Sequence, residues 1–252
     1  MNKQGFTLAE VLLTMGIIGV VAAVTVPSLT GSTNSKQLQA QFNNAHSLLS
    51  QATYTVVGQK GPGIRKIYAA YTNPDANGQG GGYNNTQEFT DLFFKQLKTV
   101  GKCRYNVNEI KNYNGTKSGN SVYIDRGTKT PSNRLANGMC VDVTICAYQL
   151  NITVDINGTK KPNQLGHDIF FFDIGNDDKL NPKVSEAFTE QNYQDALRQD
   201  ANADTPNLSG QLGNPCSATS QQAGNGLGCA YWALLNKNPN DNSKTYWDNL
   251  PK

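Results

Sequence analysis

Histidine is scarce in this sequence, with two residues, and none of the five cysteines forms a C-x-x-C pair. The ligand spacing of a zinc site is therefore missing. There is no G-x-S-x-G and no H-E-x-x-H, and no nucleophile is spaced against a histidine, so the chain does not read as an enzyme. Carboxylate pairs such as Asp177-Asp178 are what any polar domain supplies. Charge is sparse as well: 16% of residues are charged and the net charge is +3, from scattered Lys and Arg. That pattern offers no electrostatic footprint for a nucleic acid. Apolar residues reach only 37%, and the mean hydropathy is -0.52.

What apolar character there is concentrates at one end. From Phe6 to Val26 nearly every residue is uncharged and most are apolar, whereas the rest is rich in Asn, Gln, Gly, Ser and Thr. A secretory signal has an apolar core of about 7–15 residues ending in a small-x-small cleavage site. This run is longer, and as a helix it would extend about 31 Å, enough to cross the hydrocarbon core of a bilayer. With 252 residues, the chain has room for such an element plus one polar domain.

Glu10 is the anomaly inside the run. A carboxylate at the centre of a membrane helix costs about 2.5–3.5 kcal/mol, less near an end, and needs a partner. No basic residue lies within the run to supply one. If the chain were cut after Gly5, the new amino group of Phe6 would lie close to Glu10 in sequence and depth. In a bundle of such helices, one amine would neutralise the next chain's carboxylate, so that assembly satisfies the charge.

The sequence Gly5-Phe6-Thr7-Leu8-Ala9-Glu10 resembles the prepilin recognition sequence of type IV pilins and type II secretion pseudopilins. The resemblance implies cleavage between Gly5 and Phe6 by a membrane-embedded prepilin peptidase, and N-methylation of Phe6. It gives Glu10 the place of the family's fifth-position glutamate and Pro27 that of its helix-kinking proline. It further implies a structural subunit rather than an enzyme. The implied partners are other pilin or pseudopilin subunits, the peptidase and the inner-membrane assembly machinery. The implied location is the bacterial cytoplasmic membrane, crossed once with the head outside, and then a periplasmic or surface filament. The large head suggests a minor or large pilin-like subunit; the glutamate argues against the tip pseudopilin, which usually lacks it. A membrane-anchored ligand-binding protein or adhesin, using the helix only as an anchor, is the rival reading.

Beyond Pro27 the expected helix has a short break at Gly31-Ser32. Apolar positions then resume at Leu38, Phe42, Ala45, Leu49, Ala52 and Val56. Spacings of four and three make a narrow seam that must be buried against something. His46 falls off the seam and is expected to be solvated. Gly58, Gly61, Pro62 and Gly63 end the helix. The domain reading is a leader over 1–5, a transmembrane and assembly helix over 6–30, its amphipathic half over 31–57, and a globular head over 58–252.

In the head, residues 73–86 read as a loop, and the Gly78–Gly82 cluster lacks the flanking strand and Lys-Ser/Thr of a phosphate cradle. A helix is expected from Thr86 to Val100, started by Asn85 and Glu88 as a capping box. Strands are expected over Ser121–Ile124, Met139–Cys146, Ile152–Ile156 and Asp168–Ile174, with Asn137-Gly138 and Asn157-Gly158 as turns. The fold class is α+β and pilin-like: a long N-terminal helix packed against an antiparallel β-meander head with long loops.

In an exported head, one or two disulfides are expected, and five buried thiols are the alternative. Cys140 and Cys146 share one expected strand about 20 Å apart at strand rise and cannot bridge each other. Cys216 and Cys229, flanking a Gly- and Ser-rich loop, are one candidate pair, and Cys103 with Cys140 is another. The segment from Asp155 to Asp168 is dense in oxygen donors and opens D-x-N-G, so Asp155, Asn157 and Asp168 form a candidate calcium set. It lacks the order and distal Glu of an EF-hand. The competing reading is a hairpin turn whose aspartates cap backbone amides, with His167 exposed. No other cofactor is expected.

Overall fold

Helix α1 runs Leu8–Lys60, with acidic Glu10 in its first turn and basic Lys60 in its last, both placed to complement the helix dipole. The structure, a computed structural model, describes residues 7–69, 71–72, 82–83, 86–105, 109–118, 132–146, 149–183, 216–221 and 224–251, with the side chains of 22–33, 71–72, 82–83, 86 and 146 excepted. The chain falls into two compact units, 1–37 and 38–252, whose boundary lies within α1.

In the first unit the backbone stays helical through Pro27 and Gly31. The break expected at Gly31-Ser32 is not there. One missing hydrogen bond and one glycine weaken a helix locally, and neither interrupts this one. Among the described residues, no helix is long and apolar enough to cross a membrane. The side chains described in the apolar run are those of 7–21, about 22 Å of helix against a hydrocarbon core of about 30 Å.

In the second unit the seam of α1 is buried as its spacing demands. Phe42, Ala45, Leu49, Ala52 and Val56 are inside, and Leu38 packs against the same core. The helix ends at Lys60, and Gly61 follows at φ 84°. Short α2 (Ile64–Tyr68), the two-stranded pair β1 (Tyr71–Thr72) and β2 (Gly82–Tyr83), and α3 (Thr86–Lys95) come next.

A six-stranded antiparallel sheet in simple sequence order then forms the head: β3 (Thr99–Lys102), β4 (Asn133–Leu135), β5 (Cys140–Cys146), β6 (Gln149–Asp155), β7 (Ile169–Ile174) and β8 (Leu180–Pro182). Helix α4 (Cys229–Leu235) and a 3-10 turn at Trp247–Asn249 close the fold.

Register explains the burial. Val141, Val154 and Phe170 align across β5–β7, as do Val143, Ile152 and Phe172. These side chains share one face and belong to the core that holds the seam. The Phe42 ring lies 4.4 Å from Phe170 and 5.4 Å from Trp247, centroid to centroid. On the other face a second cluster joins Ile169 and Phe171 to Ile110, Leu165 and Leu227. Strands β6 and β7 are therefore covered on both faces.

Several expectations need correction. The helix read as Thr86–Val100 stops at Lys95, because the β-branched Thr99 pairs with Leu135 of β4 instead and Val100 follows it at a bulge in β3. Glu88 is ion-paired with Lys60 at 2.5 Å; its expected capping partner Asn85, the Gly78–Gly81 stretch and the strand Ser121–Ile124 lie outside the described residues. His46 is half-buried, its ring 5.6 Å from that of Phe172. It sits one residue after Ala45, at the edge of the seam, and that edge is covered by the sheet.

Candidate functional site

The N-terminal segment is one site. Thr7 is the residue before α1, and it forms a reciprocal box with Glu10. The Thr7 backbone N–H and hydroxyl both donate to Glu10 Oε2, each at 2.8 Å, while the Glu10 N–H donates to Thr7 Oγ1 at 3.3 Å. Two of the amides that a helix start leaves unpaired are thereby satisfied. The signal is visible in the sequence as T-x-x-E, and only Glu10 was read from it. Gly5 and Phe6 lie outside the described residues, as does any geometry between the Phe6 amine and Glu10. Of Pro27 only the helical backbone is described.

Past the cap, the helix surface is bare. Leu8, Leu12, Leu13, Met15, Ile17, Ile18, Val20 and Val21 are each more than half exposed. A Cβ placed on Gly16 or Gly19 would meet no atom within 4 Å. So long an exposed apolar surface is of the kind that marks contact with lipid or with other apolar helices.

The protein family described as the prokaryotic N-terminal methylation motif matches residues 1–26. That motif is the signature of the prepilin-type signal of type IV pilins and pseudopilins. This chain carries a prepilin signal. No curated protein and no solved structure matches the chain. The remaining candidate residues lie in the head.

In that head two disulfides are present, Cys103–Cys140 and Cys216–Cys229. The first ties the residue after β3 to the start of β5, and the second ties residue 216 to the first turn of α4. Cys146, at the end of β5, belongs to neither.

The β6–β7 connection brings Asp155, Asn157 and Asp168 together. Asp155 accepts from the Tyr105 hydroxyl at 3.0 Å and from the Asn157 N–H at 3.2 Å. Asp168 accepts from the backbone N–H of Asn163 (2.8 Å) and Gln164 (2.6 Å) and from Asn157 Nδ2 (3.2 Å). Both aspartates are buried. Burial pushes both carboxyls above the usual range, and the charge of Asp168 pushes Asp155 further. The capping of backbone amides by both aspartates is what the hairpin-turn reading expected; Tyr105 was not anticipated, because nothing local marks a residue fifty positions away as a partner.

His167 is buried, not exposed. Its Nε2 lies 3.0 Å from Gln164 Nε2 and 3.2 Å from the Tyr113 carbonyl oxygen. The turn folds inward onto residues 109–118, and burial lowers the imidazole pKa to about 4.

Proposed function

We propose that this prepilin is a structural subunit, of the minor or large pilin-like kind, in a type IV pilus or type II secretion-type filament. The observation that carries the reading is the methylation motif over residues 1–26, continued by a helix whose apolar side chains are bare over residues 8–21. The chain enters the cytoplasmic membrane through the full run 6–26, with Lys3 on the inner side as the positive-inside rule requires. Prepilin peptidase cleaves between Gly5 and Phe6, and the Phe6 amine is methylated. The run then packs laterally against those of other subunits, with Pro27 as the bend that leads into the head.

Glu10 has two successive partners in this scheme. In the lone chain Thr7 holds its Oε2, which lowers the cost of a carboxylate in an apolar run. In the filament the amine of a neighbouring Phe6 meets it and sets register. Mass spectrometry of the N-terminal peptide from native membranes tests the pathway: N-methylated Phe6 is expected, and a chain still starting at Met1 would overturn it. The substitution Glu10→Leu separates assembly from simple anchoring. Processed subunits stranded in the membrane are expected, and normal incorporation into filaments would favour a membrane-tethered binding protein.

A further inference from the structure

The Asp155–Asp168 loop holds two carboxylates that are 2% and 0% exposed, and among the described residues neither makes an ion pair. Nη1 of Arg134 stands 3.8 Å from where a Gly158 Cβ would be, yet it bridges to neither. Removing two charges from water without a counter-charge is costly, so such pairs take up a proton or a cation. Two further atoms point to which. Asn157 Oδ1 and Asn163 Oδ1 are buried acceptors with no hydrogen-bond partner, and Asn163 as a residue is 8% exposed. The backbone of Asn163 and the side-chain amide of Asn157 both reach Asp168 Oδ2. The loop thus carries a surplus of oxygen acceptors on top of two negative charges.

The Asn157 amide sharpens the point. Its Nδ2 lies 3.2 Å from Asp168 Oδ2 and 3.4 Å from the Lys161 carbonyl oxygen. In this orientation the amide's own Oδ1 is the acceptor left without a partner, an oxygen that no donor claims and a cation can use. We propose that the β6–β7 connection is a calcium site, with Asp155, Asn157, Asn163, Asp168 and the Lys161 carbonyl as its oxygen donors.

The all-oxygen set excludes metals that want nitrogen or sulfur, and His167 is engaged with Gln164 and Tyr113. A double positive charge offsets both carboxylates. Calcium accepts the irregular ligand geometry of a loop, whereas magnesium demands a near-ideal octahedron and keeps its waters. The site goes beyond the filament reading and stands or falls apart from it.

The test uses the full chain in detergent, stripped with EDTA and then titrated with calcium chloride or magnesium chloride by calorimetry and thermal melting. One calcium per chain is expected, with Tm raised by about 5–10 °C at calcium near 100 times its Kd and a much smaller response to magnesium. Asn157→Ala keeps both carboxylates and is expected to weaken calcium binding at least ~10-fold, about 1.4 kcal/mol. Asp168→Asn leaves several amides facing a poorer acceptor and is liable to misfold, so the decision rests on the wild type and Asn157→Ala. A folded wild type with no binding heat and an unmoved Tm at about 10 mM calcium, above the weakest extracellular class, overturns the site. So does equal binding by Asn157→Ala. In the first case the pair holds a proton instead, and in the second calcium sits on a set of oxygens that does not include Asn157.

Discussion

At Gly158 two constraints meet. Its φ is 73°, and a Cβ there would stand 2.5 Å from the Gly138 carbonyl oxygen, because the β4–β5 and β6–β7 turns abut. Gly158→Ala therefore carries both left-handed strain and a clash with backbone. A loss of about 2–4 kcal/mol is expected, read as a lower urea midpoint with an unchanged m-value. His46 supplies a pH prediction at the same scale. Burial against Phe172 holds its pKa below the usual imidazole value, so the unfolded chain binds its proton at a higher pH than the native one. Stability from this group is full above the unfolded pKa and is lost as pH falls through that value towards the folded one. His46→Leu removes the titration while filling the same apolar niche. Relative to wild type, the variant is expected to gain stability steadily from pH 7 to pH 5 in urea titrations, and parallel profiles would contradict the assignment.

Among the elements, covalent ties and packing can be weighed separately. The disulfides close loops of 37 and 13 residues in sequence separation. The chain-entropy relation gives about 3.8 kcal/mol for the longer and about 2.9 kcal/mol for the shorter. The paired replacement of Cys103 and Cys140 by Ser should thus lower the urea midpoint more than that of Cys216 and Cys229. The reverse order would mean that native-state effects outweigh loop closure. The seam of α1 was legible because a 3.6-residue period survives in Leu38, Phe42, Ala45, Leu49, Ala52 and Val56 whatever covers it. Strands β5, β6 and β7 were legible from β-branched and aromatic runs between Asn-Gly turns. Strands β3, β4 and β8 were not, since three or four residues carry no period and take their structure from a neighbour. The same reason hid Tyr105 from the Asp155–Asp168 site. The two aspartates and the loop amides they cap announced themselves by spacing, while Tyr105 arrives through tertiary contact alone.

For the whole molecule, the question is why two glycines sit in the exposed first half of α1. Each costs roughly 1 kcal/mol against alanine in a helix interior, and within the chain neither Gly16 nor Gly19 is crowded, because no atom lies within 4 Å of an added Cβ. An isolated anchor would gain from alanine or leucine at both places. Small residues acquire a purpose only when another helix approaches closely, which is how apolar helices associate where no hydrophobic drive is available. On the filament reading proposed above, Gly16→Leu is accordingly expected to leave the proposed cleavage after Gly5, membrane insertion and both head disulfides as in wild type. Recovery of sheared filaments should fall at least ~10-fold, equivalent to about 1.4 kcal/mol of lost packing per contact. Immunoblots of membrane and filament fractions read both halves of that expectation. Filaments at wild-type yield would mean that Gly16 faces lipid, and the packing surface would then have to be sought on another side of the same helix.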